Sequence, residues 1–158
     1  MSPRGDRLAQ AIPAERSILV DTSVVLAYVA GGEPASELAT QLFDAFTATG
    51  RNPTAVSAVT VAEILVRPFR AGAASVSIAE GFLRHFGDLR LIDVTYAVAR
   101  EAARIRAETD LAMPDALIAA SAALGHVEIL VTNDRSWTAR LESAVPDLAV
   151  VVLSDLRR

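Results

Sequence analysis

Short, wholly apolar runs alternate along this chain with stretches of helical period. Ile18-Leu19-Val20 and Ile129-Leu130-Val131 are the clearest runs. Residues 54–57, 89–94 and 148–152 are further short strand candidates. Runs apolar at every position predict strands buried on both faces. Between them, Val24 to Val29 reads as a buried helix. Leu38, Leu42 and Phe46 recur at i, i+4, i+8 and predict a helix over 35–49, stopped by Gly50. Ala62, Leu65, Val66 and Phe69 predict a helix over 60–69, which Pro68 should kink or end. Ile78, Phe82 and Phe86 predict a helix over 75–86. Val98, Ala102 and Ile105 predict one over 95–108, with Glu101 and Arg104 spaced to pair on its surface. Residues 116–124 are apolar nearly all round, so that helix is expected to be buried on several sides. Pro114 suits its start and Gly125 its stop. A short helix is expected near Trp137 to Leu141.

Strands alternating with helices over short connections predict an α/β fold, a central, mostly parallel sheet flanked by helices on both faces. Gly31-Gly32-Glu33-Pro34 is a break within it. Residues 1–16, rich in Arg, Pro and Gly, carry little pattern. They read as a loose lead-in, partly helical around Arg7 to Ile12, before one domain over 17–158. At 158 residues, with 52% apolar positions, the chain is long enough for one sizeable core.

Composition narrows the chemistry. There is no cysteine, which removes disulfides and thiolate zinc sites. All fifteen basic residues are arginine, which removes a phosphate-loop lysine and a lysine base. The net charge of −4 is no footprint for a polyanion, so local arginines or bound cations would have to attract one. The start has no apolar core of a secretory signal, and no run is long enough to span a membrane. The expected compartment is the cytoplasm.

Four carboxylates share one kind of position. Asp21 follows the first strand, and Asp134 follows Ile129-Leu130-Val131. Glu63 is expected in the first turn of the helix after the second strand, and Asp115 in the first turn of the buried helix. In a parallel sheet these positions lie on one edge, beyond the carboxyl ends of the strands, where such folds bind ligands. Each acid alone is equally at home as a helix-end charge, and Glu63 also has Arg67 four residues on. Taken together, several carboxylates in one cleft repel unless a cation compensates. Hard oxygen donors suit Mg²⁺ or Mn²⁺, and such an ion would activate a water toward a phosphodiester. Thr22, Ser23, Thr132 and Asn133 flank these acids and are candidates to orient a carboxylate, a water or a phosphate. Arg67, Arg70 and Arg135 are the candidate phosphate contacts. His85 and His126 have no acid or nucleophile beside them and read as surface or packing residues. Trp137 and Tyr28 are better placed in a core than stacked on bases.

The segments Leu19-Val-Asp-Thr-Ser-Val-Val-Leu-Ala-Tyr28, Ser57-Ala-Val-Thr-Val-Ala-Glu-Ile-Leu65, Met113-Pro-Asp-Ala-Leu-Ile-Ala-Ala-Ser-Ala122 and Leu130-Val-Thr-Asn-Asp134 resemble, in this order and spacing, a PIN domain of the VapC-type toxin family. The resemblance spans residues 18 to about 152. It implies a single PIN-like domain with Mg²⁺- or Mn²⁺-dependent endoribonuclease activity. The acidic residues carried over are Asp21, Glu63, Asp115 and Asp134. It also implies a VapB-type antitoxin that blocks the site, and a toxin homodimer. Ser136-Trp137 stands where family members often have Asp-Phe, and the lead-in is longer than in many. The alternatives are a PIN-domain RNA-processing nuclease outside toxin–antitoxin biology, and a non-catalytic metal-dependent binding module. The apolar faces of 35–49 and 75–89 are expected to serve the dimer or the antitoxin.

Overall fold

Five strands form the centre of the computed structural model, which describes residues 3–32 and 35–157. They are β1 (Ile18–Val20), β2 (Thr54–Ser57), β3 (Arg90–Ile92), β4 (Ile129–Thr132) and β5 (Ala149–Val152). Their order is β3-β2-β1-β4-β5 and every neighbouring pair is parallel. β1, in the middle, pairs Ile18 with Thr54 on one side and with Ile129 on the other. The side-chain period of two then sorts the apolar runs. Ile18, Val20, Val56, Ile129 and Val131 enter one core, and Leu19, Ala55 and Leu130 enter the other.

The first core is covered by α1 (Pro3–Ala11), α2 (Thr22–Ala30), α3 (Ser36–Gln41), α4 (Ala58–Ala71) and α5 (Ala73–His85). The second is covered by α6 (Tyr96–Thr109), α7 (Met113–Leu124) and α8 (Ser136–Ala144). The chain is therefore an α/β fold with helices on both faces of a parallel sheet. No helix among the described residues is long and apolar enough to cross a membrane.

Several elements differ from the reading of the sequence. The helix expected over 35–49 is α-helical only to Gln41 and continues as a π-helical segment, Leu42–Thr47, where the Ala48 N–H reaches back to the Phe43 carbonyl. Its apolar face is internal: Leu38, Leu42, Phe43 and Phe46 are buried in the first core, which takes it away from any partner. Of the 75–86 stripe, Phe82 and Phe86 pack around Tyr28 and Phe43, whereas Ile78 is 76% exposed. Pro68 does not end α4, which runs three residues further. Ile64 and Leu65 anchor the helix before it, and the Gly72 N–H closes its last turn on the Pro68 carbonyl. A 3₁₀ segment, Leu153–Arg157, follows β5. Of the break around Gly31, positions 33 and 34 lie outside the described residues.

The lead-in is tied down. Leu8 and Ile12 are fully buried. Asn52, itself buried, donates from Nδ2 to the carbonyls of Pro13 and Arg16, and Arg51 donates to the Ile12 carbonyl.

Candidate active site

At the carboxyl edge of the sheet, β1 ends in Val20 and the next residue is Asp21. Its backbone continues the ladder through the Asp21 N–H to the Val131 carbonyl, 2.9 Å away. Its carbonyl accepts the first helical bonds of α2 from Val24 and Val25. Its carboxylate makes no cap hydrogen bond, although Asp21 occupies the cap position. That side chain is 5% exposed, and Oδ2 accepts from Ser23 Oγ at 2.6 Å and from Thr132 Oγ1 at 2.9 Å. Two donors on one oxygen fix the rotamer and leave Oδ1 without a protein partner among the described residues.

The neighbouring hydroxyls are engaged in the same way. Thr22 donates to Glu63 Oε2, so the second residue of the first motif orients the acid of the second. Glu63 makes no ion pair with Arg67 among the described residues. It also lies in the second turn of α4 rather than the first, because the helix begins at Ala58, straight after the Ser57 cap. Ser57 is a link the sequence reading did not single out. It accepts from the Val59 N–H and contacts Ser121 Oγ of α7 at 3.0 Å, both hydroxyls fully buried. The strand that leads to Glu63 is thereby joined to the helix that carries Asp115. A lone serine inside the Ala-rich run 116–124 was the available signal. Asn133 closes the chain of contacts: its N–H donates to Ser23 Oγ, and Nδ2 donates to the Ser23 carbonyl.

Asp115, half-buried in the first turn of α7, reports on the company it keeps. Its carboxyl is pushed up to about 6, first by burial, then by the charges of Asp21, Glu63 and Asp134. The charges of Asp21, Glu63 and Asp134 therefore all reach Asp115 across this edge. Asp134 is the least committed of them. It is exposed, and Oδ1 accepts from the Ser136 N–H at 2.8 Å, the local turn bond of an acid before a helix.

The donor set fits a hard divalent cation in chemistry: carboxylate oxygens, hydroxyls behind them, and charge repulsion awaiting compensation. It is not a closed cage. Among the described residues, no three His, Cys, Asp or Glu side chains stand as a group that could hold a metal directly. Such an arrangement suits an ion that takes one or two carboxylates and keeps its waters, as Mg²⁺ does.

Arg67 and Arg70 are exposed further along α4, about 6 and 10 Å along the axis from Glu63 at 1.5 Å per residue. Arg135 pairs with Asp155 at 2.6 Å. The cation whose charge offsets the acids at Asp115 is Arg140, which the sequence reading passed over. Trp137 is buried in the second core, and Tyr28 lies among Phe43, Phe82 and Phe86 with its hydroxyl on Asp44. His85 and His126 are exposed.

Residues 18–141 match the family model of the PIN domain. The chain belongs to the PIN domain family. No curated protein matches it significantly in sequence. Among solved structures, this PIN domain is similar to a chain of a toxin–antitoxin complex from Klebsiella pneumoniae. The TM-score is 0.64 at 24% identity, over 87% of this chain and 98% of that one. It is similar to a chain of DNA-bound VapBC from Salmonella typhimurium, with TM-score 0.64 and 19% identity over the same shares, 87% and 98%. It is also similar to Mycobacterium tuberculosis VapC20, a sarcin–ricin-loop-cleaving toxin, with TM-score 0.57 and 22% identity over 72% and 87%. At these identities the likeness is one of fold.

Proposed function

We propose that this PIN domain is a Mg²⁺- or Mn²⁺-dependent endoribonuclease and the toxin of a toxin–antitoxin pair. The observation that carries the reading is the convergence of the Asp21, Glu63 and Asp134 charges on Asp115 at the carboxyl edge of the sheet. The fold's likeness to toxin–antitoxin complexes supports the biological setting. In this reading one or two of the acids Asp21, Glu63, Asp115 and Asp134 would bind the cation directly and the others through its waters. When bound, the ion supplies an activated water and offsets charge on the phosphodiester.

The chain's own groups prepare that site. Ser23 and Thr132 lock the Asp21 carboxylate and turn its free oxygen to the ligand. Thr22 orients Glu63. Asp115 retains its proton to about pH 6 until positive charge relieves its neighbours. An RNA loop, whose bases are splayed and whose backbone is accessible, is the substrate form that fits an open edge. The same reading implies a VapB-type antitoxin, a homodimer and a cytoplasmic working place. Phe69, 68% exposed on α4, and Ile78 on α5 offer apolar surface for a protein partner. A chain that stays monomeric in light scattering at all concentrations rejects the dimer.

The test is cleavage of a stem-loop RNA by the purified chain in Mg²⁺, Mn²⁺ or chelator, beside Asp21→Asn and Asp115→Asn. Cleavage is expected only with the metal and the native acids, with circular dichroism unchanged in the variants. Undiminished cleavage by Asp21→Asn rejects the reading. Metal binding without turnover in the native chain points to the non-catalytic binding module instead.

A further inference from the structure

Arg140 stands in the second turn of α8, which begins two residues after Asp134. Its Nη1 donates to the carbonyls of Asp110 and Thr109, at 3.1 and 3.4 Å. These carbonyls end α6, five or six residues before Asp115. From the other side, Arg106 Nη1 donates to the Leu111 carbonyl at 2.5 Å. The turn into α7 is thus pinned by two guanidinium groups. Arg106 spends its charge against the helix end. Arg140 is held by one nitrogen only, and Nε and Nη2 have no partner among the described residues. That remaining edge is the fork that matches two oxygens of a phosphate. It lies between the two elements that carry Asp134 and Asp115, since its own helix starts just after Asp134 and its anchoring turn leads into the helix of Asp115.

We infer that Arg140 is a phosphate-binding residue of this site: anchored by Nη1 to the Thr109–Asp110 turn, it presents its Nε–Nη2 edge to a backbone phosphate of the RNA next to the cleaved one. The inference rests on the nuclease reading above. It supplies the local attraction that a chain of net charge −4 needs. It joins the candidate phosphate contacts Arg67, Arg70 and Arg135.

The test uses the Asp21→Asn chain, in which cleavage is silenced, and a fluorescein-labelled stem-loop RNA read by anisotropy over a range of salt. Adding Arg140→Gln is expected to weaken binding about fivefold near 0.1 M salt and to lower the log–log salt slope by about 0.7, the value of one single-strand phosphate contact. Arg140→Lys retains the charge without the fork to the turn, and is expected to keep the slope even if the glutamine variant folds poorly. Arg16→Gln, whose guanidinium pairs with Glu128 at the amino end of β4, is expected to leave the slope unchanged. An unchanged slope in Arg140→Gln, a lysine variant as impaired as glutamine, or an equal loss in Arg16→Gln overturns the assignment. Cleavage by the native chain is followed in parallel. If it fails while the Arg140-dependent slope persists, the nuclease reading falls and the phosphate contact stands.

Discussion

Asp115 ordinarily would lose its proton at 3.8, yet here it holds it to about 6 because burial and three other carboxylates disfavour its charge. Between those values the folded chain binds a proton that the unfolded chain has released. Folding stability of the metal-free protein should therefore fall as pH rises from about 4 to about 6, and stay lowered above that range. Asp115→Asn removes the repulsion, so in chelator at pH 7 it should melt above the native chain, with the gap closing near pH 4. Calorimetry across that range checks this, and coincident melting at pH 7 would contradict it. Added Mg²⁺ should raise the native melting temperature more at pH 7 than at pH 5. Thr132→Val tests the support behind Asp21. The variant retains shape, removes one of the two donors on Oδ2 and takes its acceptor from the Asp134 N–H. Loss of such an outer contact typically weakens metal affinity 10–100-fold, measurable by Mn²⁺ titration calorimetry. Unaltered affinity would show that Ser23 alone suffices. At this scale the positions of Asp21 and Asp134 and of the hydroxyls flanking them were legible because each follows a strand, whereas Glu63 and Asp115 stand in helices. Arg140 stayed hidden because its partners, Thr109 and Asp110, lie some thirty residues away and are carbonyls, which carry no side-chain signal.

Elements were legible where burial dictated residue type. β1 and the Ile129–Val131 part of β4 are packed on both faces and apolar at every position, and a run of that kind has few other uses. α6 declared itself through Val98, Ala102 and Ile105, all buried, with the Glu101–Arg104 pair formed outside them. The π-helical segment was not legible, because the same apolar spacing fits an α-helix as well. The turn occupied by Glu63 was misjudged because Ala58 and Val59 extend α4 back to its Ser57 cap. Gly125 shows a signal half-read. Its stop of α7 was expected, but its φ of −81° suits any residue. The constraint is space. A Cβ there would stand 2.6 Å from Ile92 Cδ1 and from the Ser121 carbonyl oxygen. The Ile92 Cδ1 can swing aside at the end of its side chain on the edge strand β3, but the carbonyl is backbone of α7 and does not yield freely. Gly125→Ala is expected to cost about 1–3 kcal/mol, as overpacking does, seen as a lower urea midpoint with unchanged slope. A neutral result would mean that β3 moves aside at little cost.

For the whole molecule, the alternation of strands and helices implied a parallel sheet but not the order β3-β2-β1-β4-β5, since strand neighbours depend on crossovers that leave no local mark. Two consecutive helices, α6 and α7, fill the single crossover from β3 to β4, which is how Asp115 reaches the acidic edge without following a strand directly. The amino-terminal stretch is the other feature of this scale. The PIN match begins at residue 18, and three arginines, two prolines and a glycine lie in what precedes it. Yet Leu8 and Ile12 are wholly buried in the first core beside Leu38, Leu42 and Leu153. Asn52 spends both Nδ2 hydrogens on carbonyls of this stretch. A chain beginning at Ser17 would uncover that apolar surface, at about 1.5–3 kcal/mol for each large side chain lost, and would leave Asn52 with unpaired donors. We therefore expect such a truncation to unfold at a clearly lower urea concentration than the full chain, and to retain the acidic edge while folded, because none of its acids or their hydroxyls contacts residues 7–16. Equal urea midpoints would make residues 1–16 a dispensable lead-in after all; a lower midpoint with Mn²⁺ affinity preserved would make them part of the domain.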